Sequence, residues 1–251
     1  MSAARVAIVT GSSSGIGAAI ARTLSADGFT VVVNSANSAE AGEKLAAELP
    51  KASYVQADVA DPADATRLVE SAVERHGRLD VLVNNAGTTS PIPHADLEAV
   101  TPDEWHRVFG VNVVGAWQVS VAAVKAMETG GLIINISSVG GTRALGSSIP
   151  YSVSKAALNH LTRLLAKVVG PDVRVNAVAP GPVETSASTG LAGRAARTSA
   201  LTPLGRVGQP DDVAAMVLGL INAPFVSGEI VHVDGGINLV THSDAINSEG
   251  M

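Results

Sequence analysis

The sequence contains no cysteine, which excludes disulfides, thiolate metal ligands and thiol catalysis. Aromatic residues make up only 3% of the chain, against 46% hydrophobic residues in all. The core must therefore be built from Val, Ile, Leu and Ala, which suits a buried parallel sheet covered by alanine-rich helices. Basic blocks are also missing, and the formal net charge is −6, which argues against nucleic acid as a partner. The six histidines show no close-paired ligand spacing, so no metal site is expected. No apolar run reaches the roughly 18 residues of a membrane span. Residues 1–10 are too short and too soon interrupted by glycine to read as a secretory signal. The expectation is a cytoplasmic protein with no membrane partner.

What is present is an alternation of short apolar runs with longer helix-like stretches. Strands are predicted at 5–10, 30–34, 53–57, 81–84, 132–136, 173–178 and 230–233. Helices are predicted from the glycine turn to about 26, and at 39–49, 62–76, within 102–127, at 148–169 and at 211–221. Asp61 before Pro62 reads as an N-cap, and Thr101 with Glu104 as a capping box. Seven strands alternating with helices predict an α/β fold, a doubly wound parallel sheet with helices on both faces. No linker divides the 251 residues, so the whole chain, 1–251, reads as one domain. Two stretches look irregular, 88–101 and 184–204. The second, rich in Ser, Thr, Ala and Gly, reads as a lid. The polar tail 241–251 is expected either to fray or to dock on another subunit.

Three groups of residues carry chemistry. Thr10-Gly11-Ser12-Ser13-Ser14-Gly15-Ile16-Gly17 follows the first strand and opens the first helix. Glycines there permit a tight turn, and the helix N-terminus favours a pyrophosphate. At the end of the second strand stands Asn34-Ser35-Ala36-Asn37-Ser38, with no acidic residue before Glu40. An acid at this place would repel a 2′-phosphate; serine and asparagine donors favour NADP(H), with NAD(H) as the alternative. Tyr151 and Lys155 stand four apart, on one face of a predicted helix. A phenol titrates near ~10, and lowering it by about three units needs roughly 4 kcal/mol. A lysine and a cationic cofactor together could supply that.

Together these features resemble the short-chain dehydrogenase/reductase family, in its 3-oxoacyl-[acyl-carrier-protein] reductase-like group. The resemblance covers nearly the whole chain. Its landmarks run in order: Thr10–Gly17, Asp58-Val59, Asn84-Asn85-Ala86-Gly87, Asn112, Ser137-Ser138, Tyr151 to Lys155, and Pro180-Gly181 with Thr185 following. Tyr151 lies thirteen residues after Ser138, a spacing that picks Ser138 over Ser137. The resemblance implies a Rossmann-type fold and an NAD(P)-dependent oxidoreductase that transfers hydride directly. Tyr151 would be the general acid in carbonyl reduction, or the base in oxidation. Ser138 would polarise the carbonyl oxygen. Lys155 would bind the nicotinamide ribose and depress the tyrosine pKa. Asn112 would bend its helix and hold a water that feeds protons to Lys155.

The resemblance also implies the cofactor contacts. Gly11, Ser13, Ser14, Gly15, Ile16 and Gly17 would receive the pyrophosphate. Asn34, Ser35, Asn37 and Ser38 would meet the 2′-phosphate, as in NADPH-using naphthol reductases. NADPH-preferring relatives often carry a basic residue at the place of Ser14. Asp58 would meet the adenine amino group and Val59 the ring. Asn85, Ala86 and Gly87 would line the adenosine ribose, while Asn84 braces the sheet. Pro180, Gly181, Val183 and Thr185 would flank the nicotinamide, with Val183 holding the carboxamide.

The substrate is expected to be a small neutral or apolar ketone. Gly140, Thr142, Ala144, Leu145, Trp117 and the lid are expected around it; Arg194 and Arg197 in the lid read as a solvated helix face, with contact to an anionic substrate as the alternative. The arginines that dock a carrier protein in fatty-acid relatives correspond here to Leu132 and Pro171. The alternative activity is NAD-linked oxidation of an alcohol, sugar or polyol. The alanine-rich faces of 105–127 and 156–168 suit helix packing between subunits, predicting a homotetramer, with a dimer as the alternative.

Overall fold

Short runs of β-branched and small apolar residues form the inner strands, buried on both faces as internal parallel strands must be, while the two edge strands are half-buried. The computed structural model describes residues 4–185 and 199–240. Its strands are β1 (Val6–Val9), β2 (Thr30–Ser35), β3 (Ala52–Gln56), β4 (Val81–Asn84), β5 (Gly131–Ile136), β6 (Val173–Pro180) and β7 (Ile230–Val233). They make one sheet in the order β3-β2-β1-β4-β5-β6-β7, and every pair is parallel. The chain winds outward from β1 to β3, then restarts at β4 on the other side. The reversal leaves a crevice beyond the carboxyl ends of β1 and β4, the place where such sheets bind ligands.

The helices are α1 (Gly15–Ala26), α2 (Ala39–Glu48), α3 (Pro62–His76), α4 (Pro102–Phe109), α5 (Ala116–Ala126), α6 (Ile149–Val169) and α7 (Pro210–Ile221). Alternate strand residues face opposite layers. Ala7 and Val9 pack with Ile20 and Leu24 of α1, Leu45 of α2 and Val217 of α7. Val6 and Ile8 pack with Leu68 of α3, Val119 of α5 and Leu165 of α6. Each fully buried Val, Leu or Ile contributes on the order of 1.5–3 kcal/mol of transfer free energy. Phe29 is the one aromatic among the largest fully buried side chains.

Predicted and observed elements differ mainly at their ends. β6 runs two residues further, to Pro180, because it pairs with β7 as far as Val233. The stretch predicted as one helix within 102–127 is interrupted by a π-helical turn at Gly110–Gly115. Thr101 accepts the Glu104 N–H, but the Glu104 carboxylate turns to Arg107, so only half of the expected capping box forms. The continuous stretch Pro102–Ala126 is long and apolar enough to cross a membrane by length and composition, with a mean hydropathy of 1.3. That corrects the expectation that no such run exists. Its buried side, with Val108, Val119 and Ala123, explains the apolarity as core packing. Of the expected lid, only residues 184–185 and 199–204 are described; Arg194, Arg197 and the tail 241–251 lie outside the described residues.

Candidate active site

The crevice is closed at its nucleotide end by a knot of hydrogen bonds between the ends of β1 and β4. Thr10 Oγ1 accepts the N–H groups of Asn85 and Ala86, each at 3.0 Å. Asn85 donates its side-chain amide to the carbonyls of Thr10 and Gly11, each at 2.9 Å. A Cβ on Gly17 would lie 2.5 Å from the Asn85 amide nitrogen and 2.6 Å from the Gly11 oxygen. Glycine is therefore required at 17 for α1 to start this close to β4. Gly11 has φ +59° and would press a Cβ onto Ala86 at 2.8 Å.

Beyond this knot, α1 opens with its N-terminus bare. Ser14 occupies the N-cap position but makes no side-chain cap bond, and no acid lies in the first turn. A helix start that leaves its N–H groups unanswered suits an anion. α2 likewise starts at Ser38 with no side-chain cap bond. This donor set, all N–H and hydroxyl with glycine backbone between, fits a dinucleotide phosphate.

The second-strand segment is more divided than the sequence suggested. Asn34 is buried, and its Oδ1 accepts the Gly11 N–H. Its amide hydrogens go to the carbonyls of Val55 and Ala57 at 3.1 and 3.0 Å. That leaves none for a phosphate, so Asn34 stitches β1, β2 and β3 together. The Ser35 hydroxyl lies 2.8 Å from the Tyr54 hydroxyl. Asn37 and Ser38 are exposed. Asp58 is exposed and accepts the Ala60 N–H, while Val59 is buried.

At the other end of the crevice, β5 stops at Ile136 and Ser138 follows in an extended conformation. Ser148 caps α6 by accepting the Tyr151 N–H. Tyr151 is thus in the first turn, and Lys155 follows one turn later on the same face. The phenol is pushed above its ordinary pKa by burial, and a hydrogen bond with Ser138 opposes this more weakly. Lys155 is pushed down to about 8 by burial. Its ammonium donates to the Ile136 carbonyl at 2.8 Å and stands 5.7 Å from the centre of the Tyr151 ring.

Asn112 sits in the π-turn with its side chain fully engaged. Its Oδ1 accepts the Thr88 N–H at 2.8 Å, and its amide donates to the Thr88 carbonyl and to Ser154 Oγ at 3.0 and 2.9 Å. Ser154 and Thr88 were not singled out from the sequence. Ser154, next to Lys155 and three residues after Tyr151, carried the signal in its position. Asn84 braces the sheet as expected, donating to Ser120 Oγ and Asn135 Oδ1, each at 2.9 Å.

A cavity of about 310 Å³ joins the two ends, reached by Ile16, Asn85, Gly87, Ser138, Tyr151 and Lys155. Pro180, Gly181, Val183 and Thr185 line it too. Val183 is bridged to Gly208 through its neighbours, Pro182 C=O and Glu184 N–H. In a parallel bridge of this kind the residue's own N–H and C=O face the opposite way. Gly140, Thr142, Ala144, Leu145 and Trp117 are not among the lining residues. Trp117 is 46% exposed on α5, because the helix turns that face outward.

The chain is similar to known proteins in sequence and fold. Residues 11–238 match the family model described as enoyl-(acyl carrier protein) reductase. The chain is 55% identical over 242 residues to "Granaticin polyketide synthase putative ketoacyl reductase 2" of Streptomyces violaceoruber, covering 94% of this chain and 97% of that protein. It is 37% identical to a 3-oxoacyl-[acyl-carrier-protein] reductase of Synechocystis, covering 93% and 97%. A short-chain dehydrogenase of Burkholderia cenocepacia, solved with NADP, superposes with a TM-score of 0.88 at 35% identity, covering 93% of this chain and 98% of that one. Bare helix starts at the switch point, the hydroxyl–phenol–ammonium group opposite them and these likenesses lead to one conclusion: the chain is an NAD(P)-dependent oxidoreductase of the short-chain dehydrogenase/reductase family.

Proposed function

We propose that the enzyme reduces a small, uncharged ketone, of 3-oxoacyl or related polyketide type, to a secondary alcohol with NADP(H). The observation that carries this reading is the convergence of Ser138, Tyr151 and Lys155, the last one helical turn from the tyrosine, on the cavity shared with Pro180 to Thr185. The bound reduced nicotinamide would supply hydride to the carbonyl carbon. Ser138 holds the carbonyl oxygen, and the Tyr151 phenol gives it the proton. Lys155 holds the ribose hydroxyls and stabilises the phenolate left behind. Asn112 anchors Thr88 and the π-turn through its side chain, so a water that feeds Lys155 would rest on its backbone carbonyl. The described lining contains hydroxyls, aliphatic groups and one cation, Lys155, with no carboxylate. That composition suits a neutral carbonyl.

NADP(H) is favoured by the strand end Ser35-Ala36-Asn37-Ser38, which has donors and no acid, and by the NADP found with the Burkholderia relative. A homotetramer is proposed because Val114, Trp117, Val153, Leu164 and Val168 are exposed on the helical stretch around α5 and on α6. Tyr151→Phe tests the mechanism: it should lower turnover on a ketone by about 10²–10⁴-fold with fold and cofactor affinity kept. Wild-type turnover in that variant would overturn the mechanism. Light scattering at micromolar concentration checks the tetramer.

A further inference from the structure

The strand end that would face the 2′-phosphate has no lysine or arginine between Asn34 and Ser38, and Asn34 has no hydrogen left to give. Selectivity for a phosphate there needs another device. Tyr54 of the neighbouring strand β3 supplies a candidate. It pairs with Val33 in the β2–β3 register, and Ser35 is the diagonal neighbour on the same face, within reach of an aromatic side chain. Its phenol lies 2.8 Å from the Ser35 hydroxyl. The phenol has two acceptors on this residue, the hydroxyl at 2.8 Å and the carbonyl at 3.4 Å, and the shorter contact is the better place for its proton. If Tyr54 donates, Ser35 keeps its own proton for an anion at the strand end.

The ring is held from behind by a gap in α2. Gly42 lies in the interior of that helix, where glycine is a poor helix former. A Cβ there would meet Tyr54 Cε2 at 2.3 Å. The glycine makes room for the ring, and the ring fills the space between β3 and the first turns of α2. Two residues along, Gln56 donates to the Ala36 carbonyl at 2.8 Å. β3 therefore grips the β2–α2 turn at two points, Tyr54 under Ser35 and Gln56 on Ala36, and presents Asn37 and Ser38 outward.

We infer that Tyr54 is a positioning residue for the 2′-phosphate of NADP(H), orienting the Ser35 hydroxyl from β3 with Gly42 keeping its ring in place. This rests on the NADP(H) reading above. The test measures dissociation constants of NADPH, NADH, 2′,5′-ADP and 5′-ADP by calorimetry on the intact protein. Tyr54→Phe should weaken NADPH and 2′,5′-ADP about fivefold or more and change NADH and 5′-ADP less than about twofold. Gly42→Ala should reproduce that split by displacing the ring. The double variant Ser35→Ala/Tyr54→Phe should be no weaker toward 2′,5′-ADP than Ser35→Ala alone, because the pair acts as a unit. Unchanged NADPH affinity in Tyr54→Phe, equal loss for all four ligands, or additive losses in the double variant would each overturn the inference. A wild-type protein that binds NADH as tightly as NADPH would instead bring down the cofactor reading itself, and the inference with it.

Discussion

The helices of this enzyme start in two different ways. α3, α4 and α6 are sealed by their own side chains: Asp61 accepts two N–H groups, Thr101 one and Ser148 one. At α7, Asp212 accepts the Gln209 N–H at 2.7 Å. α1 and α2 carry serines at the same position and leave them unbonded. Backbone conformation does not explain the difference. Ser14 has φ −157° and ψ 174°, and Ser148 has φ −161° and ψ 163°, yet only Ser148 folds back. The open starts are the two that border the nucleotide end of the crevice, and the sealed α6 carries Tyr151 and Lys155. On the proposed reading, charge would be received where N–H groups are left bare, and proton chemistry would sit on a helix whose first turn is capped. α2 departs from the pattern in one respect, an exposed Glu40 in its first turn.

The sharpest break in this comparison would be proton chemistry that did not depend on the sealed helix. Lys155→Met should lower ketone turnover by about 10²-fold or more, as expected for loss of a group in a proton-transfer site. The wild-type pH profile locates the same group. With its pKa near 8, Lys155 loses its charge as pH rises through that value, so reduction should fall on an alkaline limb beginning there. Stability moves the other way. The folded pKa is depressed below the ~10.4 of an unfolded lysine, so between about 8 and 10 the unfolded chain binds more protons. The contribution of this lysine to stability rises over that window. Activity that falls while the melting temperature holds is the expected pairing. A rate that stays flat to pH 10 would remove Lys155 from the chemistry.

The open side is tested by closing its approach. Gly17→Ala forces a Cβ to within 2.6 Å of the Gly11 oxygen and 2.5 Å of the Asn85 amide. Overpacking of this kind costs about 1–3 kcal/mol, and it displaces the bare turn. Thermal melting should drop by several degrees, and NADPH affinity should fall with it. If affinity is untouched, the turn is not where the dinucleotide lies.

How much of this was legible in the sequence depends on whether a residue's role is local. Asp61 before Pro62 and Thr101 before Pro102 announce sealed starts, because a cap needs only its own next turn. Tyr151 and Lys155 are four apart and fall on one face for the same reason. Asn34 and Ser35 were harder. Both read as phosphate donors because the strand end is polar, but their partners, Val55, Ala57 and Tyr54, come from the adjacent strand. The pairing of β2 with β3 is fixed by register rather than by nearby residues. The π-turn around Asn112 was foreseen only as a bend. Trp117 is expected at the pocket, and helical phase places it outside.

The finest test compares the serines themselves. Ser148→Ala removes an oxygen that accepts the Tyr151 N–H, and loss of an N-cap of this kind typically costs about 1 kcal/mol. In a chain of this size that is a fall of roughly 2–4 °C in melting temperature. Ser14→Ala removes a hydroxyl with no cap bond, so its melting temperature should stay within about 1 °C of wild type. The ligand should reverse the ranking. Saturating NADPH raises the stability of any variant that still binds it; the rise should be intact in Ser148→Ala and reduced in Ser14→Ala. Equal destabilisation by both changes would mean that Ser14 does cap α1 in solution, and the contrast between open and sealed helices would then have to be sought in Ser38 alone.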